Sequence, residues 1–417
     1  MAARRPRARR REKARPGSGN RRRLRPLSLR ATPALLSLLS VALVLGGCGG
    51  SGPARHAQSS PASASRTAGA AQIAPASGKA RATPGPVDVY GADTVGKLSP
   101  SVRGVPERVY VPNSLSNTVD VIDPHSFRII GHFAVGALPQ HITPSWDLRT
   151  LYVDNDDGNT LTPIDPVSGR PQGPDLPVED PYNLYFTPDG SYAIVVAERL
   201  QRLDFRDPHT MALHHSLAVS CKGVDHMDFS ADGRYLYASC EFAGSMIKVD
   251  VRSEQVVGTL SLGRGLGAPQ DVKLSPDGRV LYVADQVAGG LWEVDPRRFT
   301  QIGFLPTGQG AHGLYPSRDG RLLYASNRAE GSVSVVSFAR RRVVGKWPIP
   351  GGSPDMGGVS ADGNTLWLSG RYSGEVYAID TRTGVLRARI KVGQGPHGLS
   401  IWPQPGRYSL GHTGNLR

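Results

Sequence analysis

A short apolar pair, usually carrying an aromatic ring, returns along this chain at a nearly constant interval. It stands at Val109-Tyr110, Leu151-Tyr152, Ala193-Ile194, Leu236-Tyr237, Leu281-Tyr282, Leu323-Tyr324 and Leu366-Trp367. The steps are 42, 42, 43, 45, 42 and 43 residues. Self-similarity at such a period means a repeat architecture, in which each unit buries its apolar face against its neighbours. The units share an internal order. A strand such as "LYVAD" leads into a polar, Gly-containing loop such as "QVAGG". A second alternating strand follows, such as "EVYAID" at Glu375–Asp380, then a turn and a third strand. A fourth apolar strand ends in an Asp-Gly turn, as in the "SPDG" that starts at Ser275. Asp-Gly supplies the positive φ of a tight hairpin. Period-2 alternation of β-branched and aromatic residues between such turns predicts strands.

Four strands in about 43 residues, repeated seven times, predict an all-β fold, a seven-bladed β-propeller. A solenoid is the competing architecture, and four strands per unit favour blades. The phase of the repeat predicts how the ring closes. The first unit begins at its second strand, Arg108–Asn113, and the last ends with a first strand, Pro396–Trp402. These two ends are expected to build one blade together, which removes a free edge. "RVYVPN", "NTVDVID", "GPHGLSI" and "SPDG" resemble the YVTN β-propeller repeat family, the YncE-like proteins. The resemblance covers residues 107–408. It implies a fold similar to the haem-d1 domain of nitrite reductase, the propeller of nitrous-oxide reductase, the amine dehydrogenase heavy chain and propeller lactonases. One fold serves several chemistries, so function has to be argued from a site.

The net charge of +14 suggests a nucleic-acid partner until it is located. Residues 1–30 hold twelve Arg, one Lys and one Glu, and so carry +12 of it. The remainder, near +2, offers no argument for nucleic acid. The basic head is followed by an uncharged apolar run, Ala34 to Leu45, that is short for a membrane span and right for a signal peptide. The run ends in Leu45-Gly46-Gly47-Cys48, which resembles the bacterial lipobox. Residues 1–47 therefore read as a lipoprotein signal peptide, with Cys48 as the lipidated first residue of the mature chain. Residues 48–86 are rich in Ser, Ala, Pro and Gly, and read as a flexible tether. Residues 87–417 are the propeller. The expected location is the bacterial cell envelope, at the outer face of a membrane or in the periplasm, and the expected state is a monomer.

Aligning the units places seven triplets at the start of the innermost strands, where the chain enters the central channel. They are "PQH", "PYN", "VDH", "PQD", "AHG", "PDM" and "PHG", starting at Pro139, Pro181, Val224, Pro269, Ala311, Pro354 and Pro396. Loops after the second strands share this face and add Glu198, Glu241, Asp285, Arg328 and Arg371. The predicted ligand site is His141, Asn183, Asp225, His226, Asp271, His312, Arg328, Asp355, Arg371 and His397. Imidazole and carboxylate suit zinc, copper, iron or nickel. His312, His397, Asp225 and Asp355 are the candidate metal ligands. Against this, a histidine at these positions can simply bond a backbone carbonyl of the next blade. His312 and His397 stand second in their triplets, His141 and His226 third. Strict alternation would point the two pairs differently. His125 and His209 fall in turns after the middle strand and carry no expected role. His412, beyond the last strand, is expected only to cap an edge.

Cys221 and Cys240 flank a hairpin whose turn is Ser230–Gly233, and both fall at its open end. In an exported chain they predict a disulfide, with two buried thiols or a metal-binding thiolate pair as the alternatives. No nucleophile elbow, HExxH or phosphate loop sits in a fitting context. The leading expectation is a lipid-anchored binding propeller that meets a protein partner or small ligand with its polar face. The alternative is a lactonase-like hydrolase or an oxidoreductase with its site at the channel mouth. A purely structural envelope protein is the weaker third reading. No cofactor is called for, and a divalent metal ion is the one candidate.

Overall fold

Strands form where alternation and Asp-Gly turns place them. The computed structural model describes residues 87–417. The expected signal peptide, Cys48 and the tether lie outside the described residues. Seven antiparallel units form a ring of blades, each with its first strand innermost. Blade 4 is representative: Val224–Phe229 lies at the channel, followed outward by Tyr235–Cys240, Ser245–Asp250 and Gln255–Ser261. The inner strand is buried throughout and the second strand is buried beyond Tyr235, whereas the outer strand Gln255–Ser261 alternates between exposed and part-buried residues.

The ring closes as its phase predicts. Ser400–Trp402 is the inner strand of blade 1 and pairs antiparallel with Arg108–Asn113, with Arg108 opposite Trp402 and Tyr110 opposite Ser400. The apolar residues sort into seven clusters, each shared by two neighbouring blades. The blade 7–blade 1 seam, for example, packs Trp367, Val376 and Ala378 against Val109, Val111 and Ile401. No blade has a core of its own, which is why the repeat must be a closed ring.

The hairpin turns at the lower end explain their own composition. Ser275 Oγ donates to Asp277 Oδ1 at 2.6 Å and accepts from the amides of Arg279 and Val280, while Gly278 takes φ 69°. The same arrangement recurs at Ser230, Ser317 and Ser360. Blade 2 departs from the pattern: its outer strand is split into Arg170–Pro171 and Leu176–Pro177, with proline interrupting the ladder.

Both ends of the described chain fill the lower channel. Val89 N–H donates to Pro276 O at 2.9 Å, Tyr90 Oη donates to Leu274 O at 2.6 Å, and Asp93 pairs with Arg318. The C-terminal segment does not lie past the ring as an edge cap. It turns into the channel, where Ser409–Gly411 and Asn415–Leu416 extend the blade 3 sheet inward from Asn183–Phe186. Arg417 reaches Asp228 at 2.7 Å. The space left beside it, lined by Tyr90, Asp228, Lys273, Arg318 and Gln404, is about 30 Å³, roughly the volume of one water. The channel is plugged from below.

Candidate functional site at the upper channel

The inner strands are not regular at their upper ends. Their register against the second strand shifts between Pro139 and Ile142, Val224 and Met227, Pro269 and Val272, Ala311 and Leu314, and Pro354 and Gly357. In blade 4, Val224 faces Cys240 and Met227 faces Ala238, so Asp225 and His226 together oppose Ser239 alone. Two residues against one is a β-bulge, and a bulge suspends the alternation of faces. Ser239 Oγ completes it, accepting from His226 N–H and donating to His226 O, both at 3.1 Å. Ser326 and Ser369 accept the corresponding amides of Gly313 and Met356.

The bulges correct the expectation that the histidines point in two directions. The His141 ring centroid lies 5.5 Å from that of His226, 4.9 Å from His397 and 5.1 Å from His412. His226 lies 4.9 Å from His412 and 6.0 Å from His312, and His312 lies 5.9 Å from His397. Five histidines form one buried cluster on the axis. The fifth, His412, departs from the expectation that it only caps an edge. It is carried up by the C-terminal segment between Gly411 and Gly414, at φ 95° and 109°, and stacks on Tyr185. Glycine at 398 makes room for the cluster, since a Cβ there would sit 2.1 Å from His141 Cδ2.

The expected metal ligands are divided by this geometry. His312 Nδ1 and His397 Nδ1 both face Asp355, at 3.3 and 3.2 Å, and Arg328 donates to the same carboxylate at 3.1 Å. Asp225 stands instead with His226, its Oδ1 2.6 Å from Nδ1. Asp271 is committed to the fold: its oxygens accept from Val272 N–H and from Leu314 N–H of the next blade, both at 2.9 Å. Asn183 bonds Leu184 N–H and places its amide nitrogen 3.0 Å from His412 Nδ1. Asp285 likewise serves local backbone and Trp292.

Above the cluster, the residue that follows the end of each second strand is polar. In blade order these are Ser114, Asp156, Glu198, Glu241, Gln286, Arg328 and Arg371. The ring is charge-separated. Blades 2 to 4 supply carboxylates and blades 6 and 7 supply arginines. A bonded chain links the two sides, from Glu241 through Gln286 Nε2 at 2.6 Å and Gln286 Oε1 to Arg328 at 2.7 Å. Arg371 closes the basic side on Ser114 Oγ at 3.0 Å.

Burial raises the acids. Glu198 is pushed up to about 9 by burial, then by Asp225, Glu241, Asp156 and Asp180. Glu241 rises to about 7, from burial and Asp225. Asp156 rises to about 7, from burial and Asp180, against the pull of Arg199. Burial also holds Asp225 well above the carboxylate range. The histidines move the opposite way: burial takes His226 down to about 4 and the others well below 6.5. These rings are neutral at pH 7.

In blades 1, 4, 5 and 7 the next residue of the upper loop is apolar and exposed. Leu115, Phe242, Val287 and Tyr372 are 73, 68, 62 and 74% exposed. They set an apolar side chain beside the charged ring in four blades, and Asp157, Arg199 and Ala329 hold the same position in the other three. The sequence alone locates the loops and the two arginines. It does not single out His412 as part of the cluster, nor Asp156, Gln286 and the apolar rim, because each matters through its neighbours around the ring.

The profile of the YncE-like beta-propeller family matches residues 86–405. The chain belongs to that family. No curated protein matches it. Among solved structures, the Pseudomonas aeruginosa periplasmic gluconolactonase is similar at 21% identity and TM-score 0.60, over 72% of this chain and 99% of that one. The Kuenenia stuttgartiensis hydrazine synthase is similar at 20% identity and TM-score 0.56, over 73% and 99%. A functionally unknown Desulfotomaculum acetoxidans protein is similar at 14% identity and TM-score 0.59, over 70% and 98%. Such identities establish a shared fold. For this YncE-like propeller, the disulfide expected between Cys221 and Cys240 is present, with Cα atoms 5.2 Å apart.

Proposed function

We propose that this YncE-like propeller is a lipid-anchored, extracytoplasmic binding protein that docks a partner protein on its upper face. The observation that carries the reading is the rim. Leu115, Phe242, Val287 and Tyr372 occupy one loop position in four blades, and all are well exposed. Apolar side chains grouped on one face mark interaction surfaces. Arg328, whose guanidinium lies 5.4 Å from the Tyr372 ring, and the acids opposite would set orientation. The axial residues Asp225, His226 and Asp355 are wholly buried, so contact falls on the rim and not on them. The sequence features Leu45–Cys48 and the Ser/Ala/Pro/Gly-rich stretch after them support anchoring.

Photo-crosslinking residues at Tyr372 and Phe242, with a control at Arg252 on a lower turn, test the docking in cells. A discrete adduct from the two rim positions, absent at Arg252 and lost with Arg328→Glu, is expected. Equal labelling at both faces, or none, overturns the reading. Turnover of a sugar lactone that disappears in Asp225→Asn would replace docking with catalysis. Labelled palmitate should enter the full chain and fail to enter Cys48→Ala. Label retained in that variant would sink the anchoring.

A further inference from the structure

We propose that His141, His226 and His412 form a three-histidine site for a divalent transition-metal ion. One ring nitrogen of each lies within 4.8 Å of one from each of the others. All three rings are fully buried, and Nε2 of each has no hydrogen-bond partner among the described residues. Three unpaired ring nitrogens buried side by side are costly to leave unmade. A metal satisfies all of them together. Tetrahedral coordination at about 2.0–2.1 Å needs the nitrogens roughly 3.3 Å apart, so the rings close by up to about 1.5 Å.

The opposite edge of each ring has a polar group beside it. His141 Nδ1 is 2.8 Å from Tyr182 O, which orients that ring with Nδ1 as donor and Nε2 as the lone pair. His226 Nδ1 lies 2.6 Å from Asp225 Oδ1, and neither atom has a hydrogen-bond partner among the described residues, so a small turn of the two side chains makes the carboxylate–histidine pair common behind metal ligands. His412 Nδ1 lies 3.0 Å from the Asn183 amide nitrogen and 3.4 Å from its oxygen, so a small amide rotation supplies an acceptor. Three neutral imidazoles select zinc, copper, nickel or cobalt over magnesium or calcium. The set differs from the four residues that sequence spacing suggested, because Arg328 already occupies Asp355. It also stands apart from the docking surface: Phe242→Ala and Tyr372→Ala should leave metal binding unchanged.

The full-length chain, purified in detergent without a metal-affinity tag or chelator, should carry about one equivalent of metal by mass spectrometry. After stripping, cobalt(II) should restore one equivalent with the visible spectrum of a tetrahedral nitrogen site, and should raise the melting temperature. His226→Gln and His412→Gln should each abolish the cobalt bands, and Asp225→Asn should weaken affinity about 10- to 100-fold. His209→Gln, in an exposed turn, should change nothing. If the glutamine variants do not fold, the wild-type chain still decides: no cobalt bands and no rise in melting temperature overturn the site. One equivalent retained by folded glutamine variants overturns it equally, and places the metal elsewhere.

Discussion

At the scale of single residues, the upper channel depends on one missing methyl group. Gly398 joins the inner strand of blade 1 to that of blade 2, its N–H donating to Gln140 O and its carbonyl accepting from Ile142 N–H, both at 2.9 Å. A Cβ there would meet His141 Cδ2 at 2.1 Å, and His141 is fully buried. Gly398→Ala should therefore cost about 1–3 kcal/mol, the usual range for overpacking, read by urea denaturation. An unchanged midpoint would mean that the His141 ring moves freely. Glu198 gives a second residue-scale expectation, in pH. Its folded pKa, about 9, exceeds the ordinary 4.5, because burial and Asp225, Glu241, Asp156 and Asp180 disfavour its charge. Between these values the folded chain holds the proton and the unfolded chain has released it, so stability falls as pH rises. The buried histidines have lowered values and act with the opposite sign, but above about pH 6.5 they are neutral in both states. The window from pH 7 to 9 thus isolates the acids. Melting temperature should drop across it, and Glu198→Gln should flatten the drop. A wild-type melting temperature that climbs toward pH 9 contradicts the assignment.

At the scale of elements, the bulged hairpin separates what the sequence could tell from what it could not. Strand positions, Asp-Gly turns and the pairing of Cys221 with Cys240 were legible, because each is a local pattern with a local cause. The direction of the histidines was not. Alternation assumes an unbroken ladder, and the shift between Val224 and Met227 breaks it through Ser239 on another strand. A small polar residue at that position of the second strand, in Ser239, Ser326 and Ser369, was the available signal. His412 was legible only in the glycines that flank it; its partner Asn183 is 229 residues away. The disulfide clamps the open end of this same hairpin, beside Asp225 and His226. A loop of 19 residues predicts about 3 kcal/mol from unfolded-state entropy. Cys221→Ala with Cys240→Ala should lose that amount in urea denaturation, and dithiothreitol should lower wild type to match. Loss of stability in the variant alone would point to cavities left by the two sulfurs instead.

At the scale of the whole molecule, the chain's two ends are what make a ring from a repeat. Seven identical blade seams would leave the last blade without a partner unless the first and last strands share a sheet. The sevenfold repeat and the phase of its first unit made that closure legible in the sequence. What the ends do next was not legible, because residues 87–105 and 403–417 fall outside the repeat and obey no periodicity. They plug the lower channel and deliver His412 to its axis. Deleting residues 396–417 removes Ile401 and Trp402 from two seams, opens the edge at Arg108–Tyr110, and takes His397 and His412 from the cluster. The expected result is loss of cooperative unfolding, with dye-binding apolar surface and association through the open edge. Deleting only residues 407–417 leaves Ser400–Trp402 paired and the ring closed. It uncovers Leu184 and Tyr185, which Gly411 and His412 contact, and empties the lower plug. That shorter deletion should keep a single, weaker transition. If both deletions behave alike, the tail and not the shared blade holds the ring together.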